Sequence, residues 1–320
     1  MLDLARLEGL EIGPLDRPVV EKPLANISYA DRFSVSDLKV RYASDPDVCL
    51  DRMVPLDYVT GGGPLVESAG GRKFDYVIAS HVMERVPDMI GFLKDITQIL
   101  RVDGFLCLAI PDKRYTFDYF RNDTVLADLI DAHLRGLRHP SSRQVFDHLA
   151  NARDVSCTDA WRGALLDQRL RHTHTLEAAW QAARTAAKSE HYLDCHCHLF
   201  TPTSFFILLR GLFELDLLDL RVSQFWATAP NESEFFTTLR RLDPEHGTET
   251  KKRLQLDSLP PPEITCACSS VCWPDRSRGL LLGSRFGSFD GKIFYALGPL
   301  RYRVDVVQWA LDAGFQWPDD

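Results

Sequence analysis

Residues 74–114 read FDYVIASHVMERVPDMIGFLKDITQILRVDGFLCLAIPDKR. Phe74 to Ala79 is nearly all apolar, as in a parallel strand covered on both faces. It runs into Ser80, His81 and Glu84, polar groups at the carboxyl end of a strand, where open α/β sheets bind ligands. Asp88 then caps a helix whose apolar residues Met89, Phe92, Leu93, Ile96, Ile99 and Leu100 recur at helical spacing. Asp103-Gly104 is the expected stop, and Phe105 to Ile110 is a second buried strand. Pro111-Asp112 sets another carboxylate at that strand's end.

The start of the chain has the same design. Leu7 to Ile12 is a short apolar strand running into Gly13-Pro14. The first strand-to-helix turn of a doubly wound sheet needs a glycine so that backbone can approach a ligand. A carboxylate about twenty residues later, at the end of the next strand, can accept from both hydroxyls of a ribose. Ile27 to Ala30 leads into Asp31 at that distance. Met53 to Leu56 reads as a third strand followed by Asp57. Gly61-Gly62-Gly63-Pro64 lacks the Lys and Ser/Thr of a P-loop and reads as a loop. Gly13 and Asp31 alone do not separate cofactors, so an NAD-dependent enzyme stays open, although no full GxGxxG is present.

These stretches resemble the class I S-adenosylmethionine-dependent methyltransferases, in which "FDxVxxxHVxEH", a helix and "LxPGGxLxLxxP" form the fourth and fifth strands. Phe74-Asp75-Tyr76-Val77, His81-Val82-Met83-Glu84 and Leu100 to Gly104 match. Arg85 stands where the family usually has a second histidine, and Asp103 replaces the proline. The subgroup resembled most accompanies sugar and polysaccharide genes. It carries "PDKRxTFDxxRxxT", which Pro111 to Asp118, Arg121 and Thr124 fit. The resemblance covers roughly residues 8–125 well and 196–243 loosely.

What it implies is an α/β, Rossmann-like, seven-stranded doubly wound sheet with a helical insertion at 126–193, together spanning 1–243. A linker and C-terminal extension follow at 244–320. The implied cofactor is S-adenosylmethionine, held by Glu11, Gly13, Pro14, Asp31, Asp57, Ser80 and His81. Leu15 and Arg17 occupy loop positions often held by glycine, and this reduced loop with Arg85 leaves a non-catalytic relative open. His81 is the first candidate for the base that takes a proton from an acceptor hydroxyl. Asp112 orients it or contacts the acceptor, and His198 competes as base. Glu84 positions backbone. The expected acceptor is a small molecule, a sugar or glycan precursor, methylated on oxygen.

A net charge of −8 argues against a nucleic-acid partner. Arg32, Lys39 and Arg41, or Arg135, Arg138 and Arg143, read as solvated surface. No stretch is long and apolar enough to span a bilayer. The beginning, MLDLARLEGLEIG, lacks the pattern of a signal peptide, so a cytoplasmic location is expected. The eight cysteines are then reduced thiols. Asp194-Cys195-His196-Cys197-His198, if extended, sets the cysteines on one face and the histidines on the other. With Cys266, Cys268 and Cys272 it could form a zinc site, but the spacing is not a familiar one and no metal is expected.

Leu126 to Leu193 reads as two or three helices, one opened by Pro140-Ser141-Ser142. Residues 201–212 read as a capped helix, Leu217 to Ala227 and Glu234 to Arg240 as the last strands. Residues 244–262 read as a polar linker.

Overall fold

The computed structural model describes residues 6–163, 170–189 and 192–261. Its strands are β1 Gly9–Ile12, β2 Ile27–Asp31, β3 Tyr58–Val59, β4 Phe74–Ser80, β5 Leu100–Pro111, β6 Leu220–Trp226 and β7 Glu234–Arg241. The helices are α1 Val35–Arg41, α2 Leu65–Ser68, α3 Met89–Ile99, α4 Leu126–Leu134, α5 Ser142–Asn151, α6 Cys157–Trp161, α7 Leu176–Ala186, α8 Pro202–Glu214 and α9 Thr248–Asp257. The strands form one seven-stranded sheet in the order β3-β2-β1-β4-β5-β7-β6. β1 is parallel to β2 and β4, and β2 to β3, while β6 and β7 are antiparallel. This is the expected α/β, Rossmann-like architecture, with the strand order reversing beside β1.

The described residues divide into two compact units, one built on 6–80 and 99–107, the other on 81–98 and the described part of 108–261. The first has a core of Val19, Val20, Ile27, Tyr29, Tyr76, Ile78, Phe105 and Cys107. In the second, Phe205 of α8 makes edge-on contacts with Phe200, Phe206 and Phe235. Thr201 caps α8 by accepting from Ser204 N at 3.1 Å, and Pro202 sits at its first turn.

Four local expectations shift. α3 ends at Ile99, not at Asp103-Gly104, and β5 takes Leu100 onward. A buried leucine fits the end of a helical stripe and the start of a buried strand equally well. Asp103 instead bends the strand, at φ 63°. Gly104 is needed there, because a Cβ would lie 2.9 Å from the Arg101 carbonyl oxygen and 3.0 Å from that of Asp75. The third strand is Tyr58–Val59, after Asp57 rather than before it. Pro55 has no N–H for a ladder, and Val54 N donates to Leu15 O at 3.0 Å.

The insertion holds four helices among the described residues rather than two or three. Ser141 opens α5 with a reciprocal Ser141–Gln144 capping box. Finally, part of the expected linker is α9. Gln255 Nε2 donates to Leu218 O at 2.6 Å and Leu220 O at 3.0 Å, and Lys251 pairs with Asp219 at 2.6 Å. Its polar composition hid a helix that docks through side-chain bonds to the β6 backbone. The expectations for Cys266, Cys268, Cys272 and the tail from 263 lie outside the described residues.

Candidate active site

In the first unit, three parallel strands deliver their carboxyl ends side by side. Ile12 pairs with Ala30, and Asp31 with Val59. Gly13 N donates to Ala30 O at 2.8 Å and Thr60 N to Asp31 O at 2.9 Å. Gly13 has φ 69°, a left-handed conformation that suits glycine. Leu15, at a position often held by glycine, also adopts φ 48°. The loop therefore keeps its turn without the second glycine, at a cost of about 1–2 kcal/mol for a side chain in that region. Pro14 is buried, and its carbonyl accepts from Arg17 N at 3.0 Å.

Glu11 shapes this loop from below. It is 1% exposed, and its carboxylate accepts from Val19 N at 2.7 Å and Val20 N at 3.2 Å. Asp31 accepts from Phe33 N at 3.0 Å, which turns the chain away after β2. Asp57 does not join the group. It lies at the amino end of β3, where it accepts from Tyr29 N at 2.8 Å and pairs with Lys22 at 2.8 Å. The residue that follows β3 at the carboxyl end is Thr60. Ser80 closes β4, half-buried.

In the second unit, His81 has φ 54°, one of the few non-glycine residues there. Such strain, on the order of 1–3 kcal/mol, clusters at functional sites. The backbone is held by His81 N donating to Ala109 O at 3.0 Å. The ring Nε2 is in close contact with Glu234 Oε2 at the first residue of β7. Because the carboxylate accepts, Nε2 carries a hydrogen and Nδ1 is the lone-pair nitrogen of the neutral ring. Burial disfavours the imidazolium, but attraction and hydrogen bonding to Glu234 outweigh it and raise the His81 pKa. The ring is not sealed off, with 41% of its side chain exposed. Nothing in the sequence pointed to Glu234, which is 153 residues from His81.

Asp112 and His198 have other neighbours. Asp112 is fully buried; its carboxylate accepts from Arg114 Nε at 2.9 Å, Arg114 Nη2 at 2.6 Å and Thr228 Oγ1 at 2.7 Å. The carboxylate in contact with His81 is Glu234, while the contacts of Asp112 are with Arg114 and Thr228. His198 is 1% exposed and donates from Nε2 to Pro87 O at 3.2 Å. Burial pushes its pKa down to about 4. It is a neutral packed ring that holds the chain after Arg85.

The motif residues from 111 to 124 lock onto the stretch from 194 to 201. Lys113 N donates to Phe200 O at 2.9 Å, and Leu199 N to Thr124 Oγ1 at 2.8 Å. Arg121, 2% exposed, donates to Asp118 at 2.7 Å, Asp147 at 2.9 Å and His196 O at 2.9 Å. Asp118 in turn accepts from His196 Nδ1 at 2.6 Å. Burial would raise the Asp118 pKa, but His196 and Arg121 outweigh it and lower it. His148 is pushed down to about 3 by burial and by the Arg121 and His196 charges. Arg85 donates to Asp194 at 2.8 Å and so ties the turn after His81 to the same stretch.

Cys195 and Cys197 do share a face, with their sulfurs 3.9 Å apart against Val145. Burial raises the Cys197 thiol far above its ordinary value. Among the described residues no group of three or more His, Cys, Asp or Glu is arranged to hold a metal ion.

A sequence profile described as a methyltransferase domain matches residues 45–205, half of the chain. No curated protein sequence matches it. Among solved structures, a protein from Listeria monocytogenes described as an S-adenosylmethionine-dependent methyltransferase is similar at 10% identity and a TM-score of 0.37, over 76% of this chain and 94% of that one. Magnesium protoporphyrin IX methyltransferase from Synechocystis, with bound SAH, is similar at 11% identity and a TM-score of 0.31, over 75% and 76%. A protein described among Zn-dependent alcohol dehydrogenases, from Rhodobacter sphaeroides, reaches 14% and 0.41, over 75% and 86%. At such identities a likeness concerns the fold alone. The family match is of another kind, and by it the chain belongs to the methyltransferase-domain family, with S-adenosylmethionine as its cofactor.

Proposed function

We propose that this methyltransferase O-methylates a small-molecule acceptor, a sugar or glycan precursor, with His81 as general base and Glu234 as its orienting carboxylate. The observation that carries this reading is the His81–Glu234 bond on a strained, half-exposed histidine at the end of β4. S-adenosylmethionine supplies a methyl group on a positively charged sulfur. The chain's task is to position the acceptor and take its proton, and a positioned base is worth ~10²–10⁴-fold. Nδ1 of His81 accepts that proton. Glu234 fixes the ring and stabilises the imidazolium that forms.

The residues of the first unit fit the cofactor. Gly13 presents backbone with no side chain, and Glu11 holds the loop that follows. Asp31 stands at the strand end where a carboxylate accepts from ribose hydroxyls. Asp31→Ala is expected to weaken S-adenosylhomocysteine binding by ~2–3 kcal/mol, the loss of a pair of charge-assisted bonds. Calorimetry on the folded variant checks this, and an unchanged affinity removes Asp31 from the site.

The sugar assignment is supported by the resemblance of the 111–124 motif to methyltransferase domains that accompany polysaccharide genes. A cytoplasmic location goes with this reading. Its support is that the described cysteines, from Cys49 to Cys197, are free thiols. Among the described residues no helix is long and apolar enough to cross a membrane.

The test is a screen of nucleotide sugars and glycans with methyl-labelled cofactor, followed by pH profiles of the wild type and Glu234→Gln. His81 must be unprotonated to act, so the rate falls as pH drops through its pKa. Glu234 raises that pKa above the ordinary value of about 6.5. In Glu234→Gln the acid limb should therefore move to lower pH, with a lower plateau. A limb that stays in place means that Glu234 does not act on the base. Label in no hydroxyl compound, but in a nitrogen or carbon acceptor, overturns the O-methylation reading.

A further inference from the structure

The connection between β6 and β7, residues 227–233, ends at Glu234, the carboxylate in contact with His81. Within it Glu232 N donates to Ala229 O at 3.0 Å, and Asn231 has φ 69°. Four further bonds hold it from outside. Thr228 Oγ1 donates to Asp112 Oδ2 at 2.7 Å. Cys157 Sγ donates to Asn231 O at 3.5 Å. Trp161 Nε1 donates to Glu232 O at 2.7 Å. Asp112 N donates to Ser233 O at 2.8 Å. All four come from two places, the strand end at Asp112 and the helix α6.

These two places are joined to each other. The Tyr115 ring lies flat on the Trp161 indole, with centroids 4.1 Å and planes 1° apart. Tyr115 is buried, and its N–H donates to Asp112 O at 3.0 Å. Arg114 pairs with the Asp112 carboxylate at 2.6 Å and lies 5.3 Å from the centre of the Tyr115 ring. A stacked ring pair and a buried, fully bonded carboxylate make a rigid support. Rigidity matters at this point of the chain. The oxygen that Trp161 holds belongs to the residue two before Glu234, and two residues of strand span only about 7 Å. A displacement of roughly 1 Å in a reacting group can cost about 10²-fold in rate.

We propose that Trp161 and Asp112 are positioning residues for methyl transfer, together holding the β6–β7 connection so that Glu234 stays on the His81 ring. A helix of the insertion thus takes part in setting the base. The proposal rests on the reading of His81 as that base.

Histidine-selective NMR titration of the full chain tests it and needs no acceptor. His81→Gln identifies the His81 signal by its loss. Burial lowers the His81 pKa, Glu234 and Glu84 raise it, and Arg85 lowers it. Glu84 and Arg85 belong to the turn after His81, so a change in the β6–β7 connection is read through Glu234. Trp161→Phe keeps a ring on Tyr115 and removes the N–H. It should move the His81 titration to lower pH, by a fraction of the shift in Glu234→Gln. Combining the two substitutions should give the Glu234→Gln titration again. Thr228→Val removes the bond to Asp112 at nearly constant shape and should shift His81 in the same direction. It decides the matter if Trp161→Phe does not fold. A folded Trp161→Phe that titrates like the wild type overturns the proposal, and so does a combined variant that titrates below Glu234→Gln. A shift in Glu234→Gln without one in Trp161→Phe overturns this proposal and leaves the base reading intact. If His81 titrates as expected but the pH–rate limb of Glu234→Gln stays in place, the base reading fails and the proposal with it.

Discussion

Alanine at position 81 is expected to lower methyl-transfer turnover by at least ~100-fold, the lower range for loss of a positioned base. Affinity for S-adenosylhomocysteine should stay nearly unchanged. The ring follows the last residue of β4, and its partner Glu234, the first residue of β7, lies in the same unit as His81. Neither partner lies in a packed apolar core, so the fold should survive. Kinetics with the acceptor found in the screen, alongside calorimetry, separates the outcomes. Loss of cofactor binding would make His81 part of the adenosine pocket. His198→Ala should cost turnover little, because that ring is sealed and bonded to Pro87. A larger rate loss in His198→Ala than in His81→Ala would move the base to the later segment.

Arg121→Ala should produce the largest loss of stability, ~3–5 kcal/mol, the cost of breaking a buried ion pair from one side. The guanidinium is 1% exposed on its side chain and serves Asp118, Asp147 and the His196 carbonyl at once. Removing it leaves Asp118 charged, buried and bonded to His196 alone. Arg121→Lys should recover only part, since an ammonium cannot satisfy three directions as a planar fork does. Denaturant unfolding at neutral pH reads the effect. The acid side adds a check. The Asp118 pKa is lowered in the folded state, so its contribution is present above its ordinary value of about 3.8 and lost as pH falls through the folded value. Without Arg121 that loss should begin at higher pH. A variant as stable as the wild type would mean that the network is incidental to the fold.

The sheet was legible because buried parallel strands are written as continuous apolar runs. Phe74 to Ala79 and Phe105 to Ile110 read as strands, and their ends locate Ser80, His81 and Asp112 from the sequence alone. The strand ends at Gly13 and Asp31 were legible for the same reason. What failed was partnership at long range. Asp112 was located at the right strand end, but its lone pairs go to Arg114 and Thr228. Glu234 was read only as the start of a strand. Asp57 was assigned by its place after an apolar run, yet Pro55 lets that run pack rather than pair. The matching motifs around Asp118, Arg121, Thr124 and His196 were visible as text. Their meaning, a buried interlock of charge and backbone bonds, emerges only when residues over seventy positions apart are brought together.

The central claim is that the strand ends at Gly13 and Asp31 hold an S-adenosyl cofactor, and titration calorimetry of the purified protein tests it most directly. S-adenosylmethionine and S-adenosylhomocysteine should each bind at one site per chain, and NAD should give no heat of binding under the same conditions. Saturable NAD binding with no binding of either S-adenosyl compound would contradict the account.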